Sequence, residues 1–452
     1  MMLRLLAVFL LLAALQPAAA AVQSCADLTK LYPGAPCGLD LSRFRFHDPL
    51  LDKVESGDTA ALFDGTLYTV HSAADVAKLN RKLKPGDQVV FGPGDWSAAD
   101  IVLHADGTPD HPIDISAAPG VVFTGTALAD FSGSNLVVRN LVFRKGAVTR
   151  DNFVVFRLGE GGGHTCDRCI ADRIVIDGYN AAPANDVKIF YLVLDGRDIT
   201  VANSTFANKI TAGTMLSPGL PSGSCTPGTC FQRLLFVNNT VSNFAAGRAG
   251  DDGNHKFMQL GWSGVSTQSA YSVLMGNTFE GDVGENETVS LKASDIVVRG
   301  NTFRANRGVL NLRSTNRVLV EDNTFDSTGV TSMGGVRIEG RGHWIVHNLF
   351  RHLVQPANNF YWPVSLHDAS DENLRDGASD YARVQDIVIA GNRFEGDESP
   401  PILVGTFPDP ARARTLLPRN VLVLDNTFSG PAHIGFIGDR TQYQGIVERG
   451  SR

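Results

Sequence analysis

The chain has 452 residues, 43% of them apolar, enough for a continuous core and unlike a disordered or fibrous composition. Charged residues make up only 19%, while glycine reaches 46, a balance that favours strands and turns over helices. A formal charge of −7, from 40 Lys+Arg against 47 Asp+Glu, excludes a general nucleic-acid binder. Any polyanion must meet a local basic patch.

Met1-Met2-Leu3-Arg4, an apolar run from Leu5 to Leu15 and the ending Gln16-Pro17-Ala18-Ala19-Ala20 have the form of an export signal cleaved after Ala20. Residues 1–20 are therefore expected to be removed, leaving residues 21–452 as one domain, periplasmic or secreted. The apolar run is too short to span a bilayer, and no later stretch reaches the ~18 apolar residues that a span requires. Lipidation of Cys25, after Val22-Gln23-Ser24, is the rival reading. The cysteines fall into three local pairs, Cys25/Cys37, Cys166/Cys169 and Cys225/Cys230, which in an exported chain predict three disulfides stapling loops. A lone Cys166-x-x-Cys169 without a second pair is a poor zinc site.

Residues 73–83 read as an amphipathic helix before Pro85-Gly86-Asp87, placed to cap the open N-terminal end of a repeat array. The repeat consists of alternating aliphatics, then Asn, one residue, then Phe. It occurs around Asn277, Asn301, Asn323 and Asn348 at spacings of 24, 22 and 25, and again 44 residues on at Asn392. Further copies are read at Asn140, Asn203, Asn239 and Asn426. A period in the low twenties, built of short strands, predicts an all-β, single-domain right-handed parallel β-helix. Phe should stack inside and Asn should ladder at a turn.

Aligning the second strand of each repeat sets Thr288–Lys292 beside Val309–Arg313 and Gly335–Arg337, with Gln259 upstream and His367 downstream. Lys292, Arg313 and Arg337 are then expected as one outward column ending in Gln259 and His367. Residues 292–351 hold nine Lys/Arg against five Asp/Glu, so this face carries +4 within an acidic chain and suits an extended anionic ligand. Just before it, Glu285 and Glu287 are two apart and point one way on an extended segment, able to hold a hard cation or to pair with the arginines.

These residues resemble those of the polysaccharide lyase family that holds chondroitinase B and many alginate lyases. The likeness runs from about Ala73 to Phe428. It includes Pro85-Gly86-Asp87, Gly92-Pro93-Gly94 and His111-Pro112-Ile113-Asp114-Ile115. Its most specific parts are Glu285-x-Glu287-x-x-x-x-Lys292 followed by Arg313, and Gly335-Val336-Arg337-Ile338-x-Gly340-x-x-His343. The resemblance implies β-elimination on a uronate polysaccharide; the chain itself is expected to be a monomer. Lys292 would be the base and Arg313 the acid, Glu285, Glu287 and Asn254 would hold Ca2+, and Arg337 and His343 would line the groove. The chain departs from the family at Lys256, where a carboxylate is expected, so this ammonium can replace calcium and face the substrate. Alginate is the expected substrate, with chondroitin or dermatan sulfate as the alternative. The rival class is a non-catalytic glycan-binding solenoid; a polygalacturonase-like hydrolase would require clustered aspartates where this chain has cations.

Overall fold

The computed structural model describes residues 22–159, 164–181, 187–219, 232–245, 255–313, 315–353, 361–377, 381–396, 400–407 and 414–452. Short strands wind through three parallel sheets, each strand pairing with its equivalent one coil away, as the repeat predicts of a parallel β-helix. The first sheet runs from Leu67–Val70 to Ile446–Arg449, and the third from Phe123–Gly125 to Thr427–Phe428. The second sheet carries the polar face described below.

Two internal ladders set the rise of the coil. Phe279, Phe303, Phe325, Phe350, Phe394 and Phe428 stack with ring centroids 4.8–5.0 Å apart, the spacing of neighbouring strands. At the turn between the first and third sheets, Asn239, Asn277, Asn301, Asn323, Asn348, Asn392 and Asn426 each pass a side-chain amide hydrogen bond to the next at 2.9–3.0 Å. The same amides donate to backbone carbonyls of the preceding coil, so buried turns stay satisfied without water. Asn140 and Asn203 are not rungs of this ladder. Each lies one residue earlier, in the left-handed conformation that Gly300 occupies in a later coil, and Ser204 takes the rung before Asn239. Asn tolerates that backbone conformation better than most residues, which is why the motif reads alike at both positions.

The capping helix spans Ala73–Leu79, with Ser72 Oγ accepting from the Asp75 amide. It stops short of the expected Leu83 because Asn80 and Arg81 bond to both backbone groups of His104 and dock onto the strand Asp100–Asp106. Disulfides join Cys25 to Cys37 and Cys166 to Cys169; Cys225 and Cys230 lie outside the described residues. A disulfide-bonded Cys25 leaves no thiol for lipid attachment.

The sequence pattern did not reveal the N-terminal strap. Residues 22–63, with the helices Cys25–Leu31 and Pro49–Ser56, run back over the outer face of the first sheet. Trp344 Nε1 donates to Pro36 O at 3.1 Å, Arg43 meets Tyr271, and Asp48 accepts from Thr200 Oγ1 at 2.5 Å. The outward residues beneath are apolar, including Val137, Ile170, Leu235, Val273, Val297, Leu319 and Trp344. A strand in this sheet is therefore buried on both faces, which explains its unbroken aliphatic runs.

Candidate active site

The strand Glu287–Lys292 lies in the second sheet between Met258–Gly261 and Gly308–Leu312. Val289 and Leu291 are buried inward, so Ser290 and Lys292 face out. Glu287 is five residues from Lys292, which on an unbroken strand would put the two on opposite faces. A register shift between Glu287 and Val289 inserts one residue and turns the Glu287 carboxylate to the Lys292 side.

That carboxylate is the hub of the site. One oxygen meets Lys256 Nζ at 3.0 Å; the other accepts from Asn311 Nδ2 at 2.7 Å and from Arg313 Nη1 at 3.1 Å. Lys256 also reaches Glu285 at 2.8 Å, so its ammonium sits between the two glutamates. Burial alone would raise the Glu287 carboxyl, but Lys256, Arg313 and Arg337 outweigh it and hold it well below the usual carboxylate range. The two glutamates in turn overcome the burial of Lys256 and raise its pKa, fixing it as a cation.

Lys292 is treated differently. Its Nζ donates to the neutral amide oxygen of Gln259 at 3.1 Å, and among the described residues it pairs with no carboxylate. Burial, then the neighbouring Lys256 and Arg313, bring its pKa down to about 8. Arg313 moves the other way: Glu287 and Glu339 outweigh its burial and hold it firmly charged. One amine that can shed a proton thus stands beside one guanidinium that does not.

The expected single column is two columns. Gln259 pairs with Ser290, Ser290 with Asn311, and Asn311 with Arg337, so Gln259 and Arg337 stand one column over from Lys292, whose upstream partner is Gly261. The alignment slipped by two residues at Arg337. A slip of two preserves the inward–outward alternation and is invisible to hydrophobic patterning. Arg337 is 2% exposed and ion-paired to Glu339 at 2.7 Å, so it lies beneath the outer surface of this sheet. Lys256, at 1%, does the same, against the expectation that it faces substrate. His343 is fully buried: Nδ1 accepts from the Val318 amide at 3.2 Å and Nε2 is 2.9 Å from Glu339 O. Burial lowers its pKa to about 4, and its ring is bonded to the backbone beneath the surface, against the expectation that it lines a groove. His367 is buried as well, with Arg414 Nη1 at 3.5 Å from Nδ1.

The family model for chondroitinase B matches residues 70–423. The chain belongs to the chondroitinase B family. This lyase is also similar in fold to a mannuronic-acid-specific polysaccharide family 6 lyase from human gut microbiota (23% identity, TM-score 0.71, 83% of each chain covered). A second similar structure is the family 6 lyase Pedsa3628 from Pseudopedobacter saltans, at 19% identity and TM-score 0.69 over 85% of this chain and 92% of the other. A third is the alginate lyase AlyF-OU02 in complex with G6, at 18% and 0.67 over 91% and 85%. No curated protein matches by sequence. The chain is a polysaccharide lyase.

The glutamate pair of this lyase does not fit a calcium ion as it stands. The Lys256 ammonium occupies the space between the carboxylates, and the remaining Glu287 oxygen is taken by Asn311 and Arg313. Among the described residues no three His, Cys, Asp or Glu side chains cluster to hold a metal; Asn254 lies outside them. Residues that the sequence pattern did not single out complete the site. Asn311 bonds Glu287, and the Tyr381 ring carries the guanidinium groups of Arg414, Arg337 and Arg313 at 4.0, 5.3 and 5.6 Å from its centroid. Asn311 was findable, two residues before Arg313 on the same face; Tyr381 and Arg414 belong to irregular segments without periodicity.

Proposed function

We propose that this lyase cleaves alginate by β-elimination without calcium, with Lys292 as the base. The observation that carries the reading is the contrast between Lys292, near pKa 8 and bonded to a neutral amide, and the ion-paired Lys256 and Arg313 around it. Elimination needs a base for the proton at C5, and a lysine serves only when deprotonated near working pH. It also needs fixed positive charge to hold the enolate-like charge developing on the uronate carboxylate. Arg313, the more exposed cation, faces that carboxylate directly, and Lys256 supports it from beneath by neutralising the glutamates. A permanently charged guanidinium gives up no proton, so Arg313 stabilises the departing O4 by charge and hydrogen bonding. The proton that Lys292 removes can be returned to O4 where C5–H and O4 lie on one face of the sugar, as in mannuronate.

Alginate is favoured by the acidic chain, since a sulfated glycosaminoglycan calls for denser basic subsites, and by the similar structures named for alginate or mannuronate. Residues 1–20 are proposed to direct export to the periplasm or beyond; among the described residues no helix is long and apolar enough to cross a membrane. The test is absorbance of the new C4–C5 double bond in the near ultraviolet on purified polymannuronate, polyguluronate and dermatan sulfate. A rise on polymannuronate is expected. A rise on dermatan sulfate alone overturns the substrate, and none on any uronate polymer favours a glycan-binding solenoid.

A further inference from the structure

Away from this cluster, the strap holds a second group of buried charges. Glu321 is fully buried in the first sheet, with Arg299 Nε at 2.7 Å from one carboxylate oxygen. The other oxygen accepts from the backbone nitrogen of Val22 at 2.9 Å, and Arg299 returns a hydrogen bond from Nη2 to Val22 O at 2.5 Å. Val22 is 1% exposed, so both polar groups of its backbone are held inside the protein by one ion pair. Asp322 adjoins and interacts with both Glu321 and Arg299. Burial lowers the pKa of the other basic group facing Asp322, His347, whose Nε2 lies 2.8 Å from Tyr32 Oη. Glu321 and Asp322 therefore share Arg299, and burial raises the pKa of both carboxyls.

The sequence offers a second cation for this group. Ala19-Ala20-Ala21 repeats the Ala-x-Ala signal of Ala18-Ala19-Ala20 one residue later. Cleavage after Ala21 would convert the Val22 nitrogen from an amide into an α-ammonium already 2.9 Å from a buried carboxylate. We propose that the export signal is cut between Ala21 and Val22, and that the new Val22 ammonium docks on Glu321 as a buried ion pair locking the strap to the first sheet. The cut is a hydrolysis: water adds across the Ala21–Val22 peptide bond, leaving a carboxylate on the released signal and the amine on Val22. The inference rests on residues 1–20 being an export signal. It adds the cleavage position, one residue past Ala20, and the destination of the amine that cleavage creates. An ammonium is a stronger donor to Glu321 than an amide, because a charged donor shortens and strengthens the hydrogen bond.

Two measurements test it. The N-terminal sequence of the exported protein should begin at Val22. A start at Ala21 overturns the assigned cut, and a protein retaining Met1 overturns the export reading beneath it. Independently, chains made by cleaving an N-terminal fusion so that they begin at Val22 or at Ala21 should differ in melting temperature, the Val22 chain being higher by about 2–4 °C. Glu321→Gln should lower both and erase the difference between them, whereas Asp52→Asn, at an exposed strap position, should preserve it. Equal melting temperatures of the two wild-type chains, or a difference that survives Glu321→Gln, overturn the docking.

Discussion

Two outer faces of one β-helix handle buried charge in opposite ways. Under the strap, Glu321 is held by Arg299 and the Val22 backbone, and apolar side chains close over them. On the second sheet, Lys256 and Arg313 are held by Glu285 and Glu287, while Lys292 has an amide for a partner. A face whose charges are matched and covered becomes a seam. A face with one lysine pushed toward neutrality by burial and then by its cationic neighbours gains a base at the edge of the physiological range.

Breaking each face should therefore damage a different property. Lys292→Ala should lower turnover by at least about 10^3-fold, the scale of a lost general base, while thermal unfolding and polymer retention stay near wild type. Activity above a few per cent of wild type would remove Lys292 from the role. Arg313→Lys should cost about 10^2-fold, because a compact ammonium cannot keep the Glu287 contact and also span the reacting oxygens. Trp344→Ala on the strap side should instead reduce stability by about 3–5 kcal/mol, emptying a fully buried site and removing the bond to Pro36. Its kcat below the melting transition should be unchanged; a large fall there would mean that the two faces are coupled.

The pH profile sharpens the contrast. Lys292 must be neutral to act and its pKa is about 8, so kcat/KM should rise about tenfold per unit below pH 8 and level above it. Glu287 raises that pKa and Lys256 lowers it. Glu287→Gln should move the rising limb to lower pH and Lys256→Met to higher pH. Stability carries the opposite cost. A depressed lysine pKa means that the folded state disfavours the ammonium, so this group opposes folding below about pH 8 and ceases to oppose it between 8 and the unfolded value.

The fold was legible because its period is written in stacked identical residues: the Phe column and the Asn rungs from Asn239 onward are local motifs repeated in register. Lys292, Arg313 and Glu287 were legible for the same reason, lying on strands of that repeat. The two-residue slip at Arg337 was not, since alternation survives it. Nor was the strap, because its partners are far apart in sequence, as with Trp344 and Pro36. Burial decided the histidines: a sequence marks His343 as a possible ligand equally well whether its ring nitrogens meet substrate or, as here, the backbone.

The smallest expected effect concerns calcium. If Lys256 supplies the fixed charge between Glu285 and Glu287, extensive dialysis against a chelator should leave kcat/KM within about twofold of its starting value, and added calcium should not raise it. The physical ground is competition for one place: a divalent ion wants several oxygen ligands at about 2.3–2.6 Å, and here an ammonium already bonds both carboxylates at 2.8 and 3.0 Å. To enter, calcium would have to displace a buried lysine and leave it charged without a partner, a penalty of several kcal/mol. Lys256→Ala removes that obstacle. The variant should lose most activity in chelator, because the two glutamates then lack the Lys256 ammonium between them, and should regain part of it with millimolar calcium. Loss of wild-type activity in chelator, restored by calcium, would return the charge-neutralising role to a metal ion and make Lys256 an accessory to it. Survival of the wild type with calcium rescue of Lys256→Ala would establish that the lysine and the ion perform the same task at the same place.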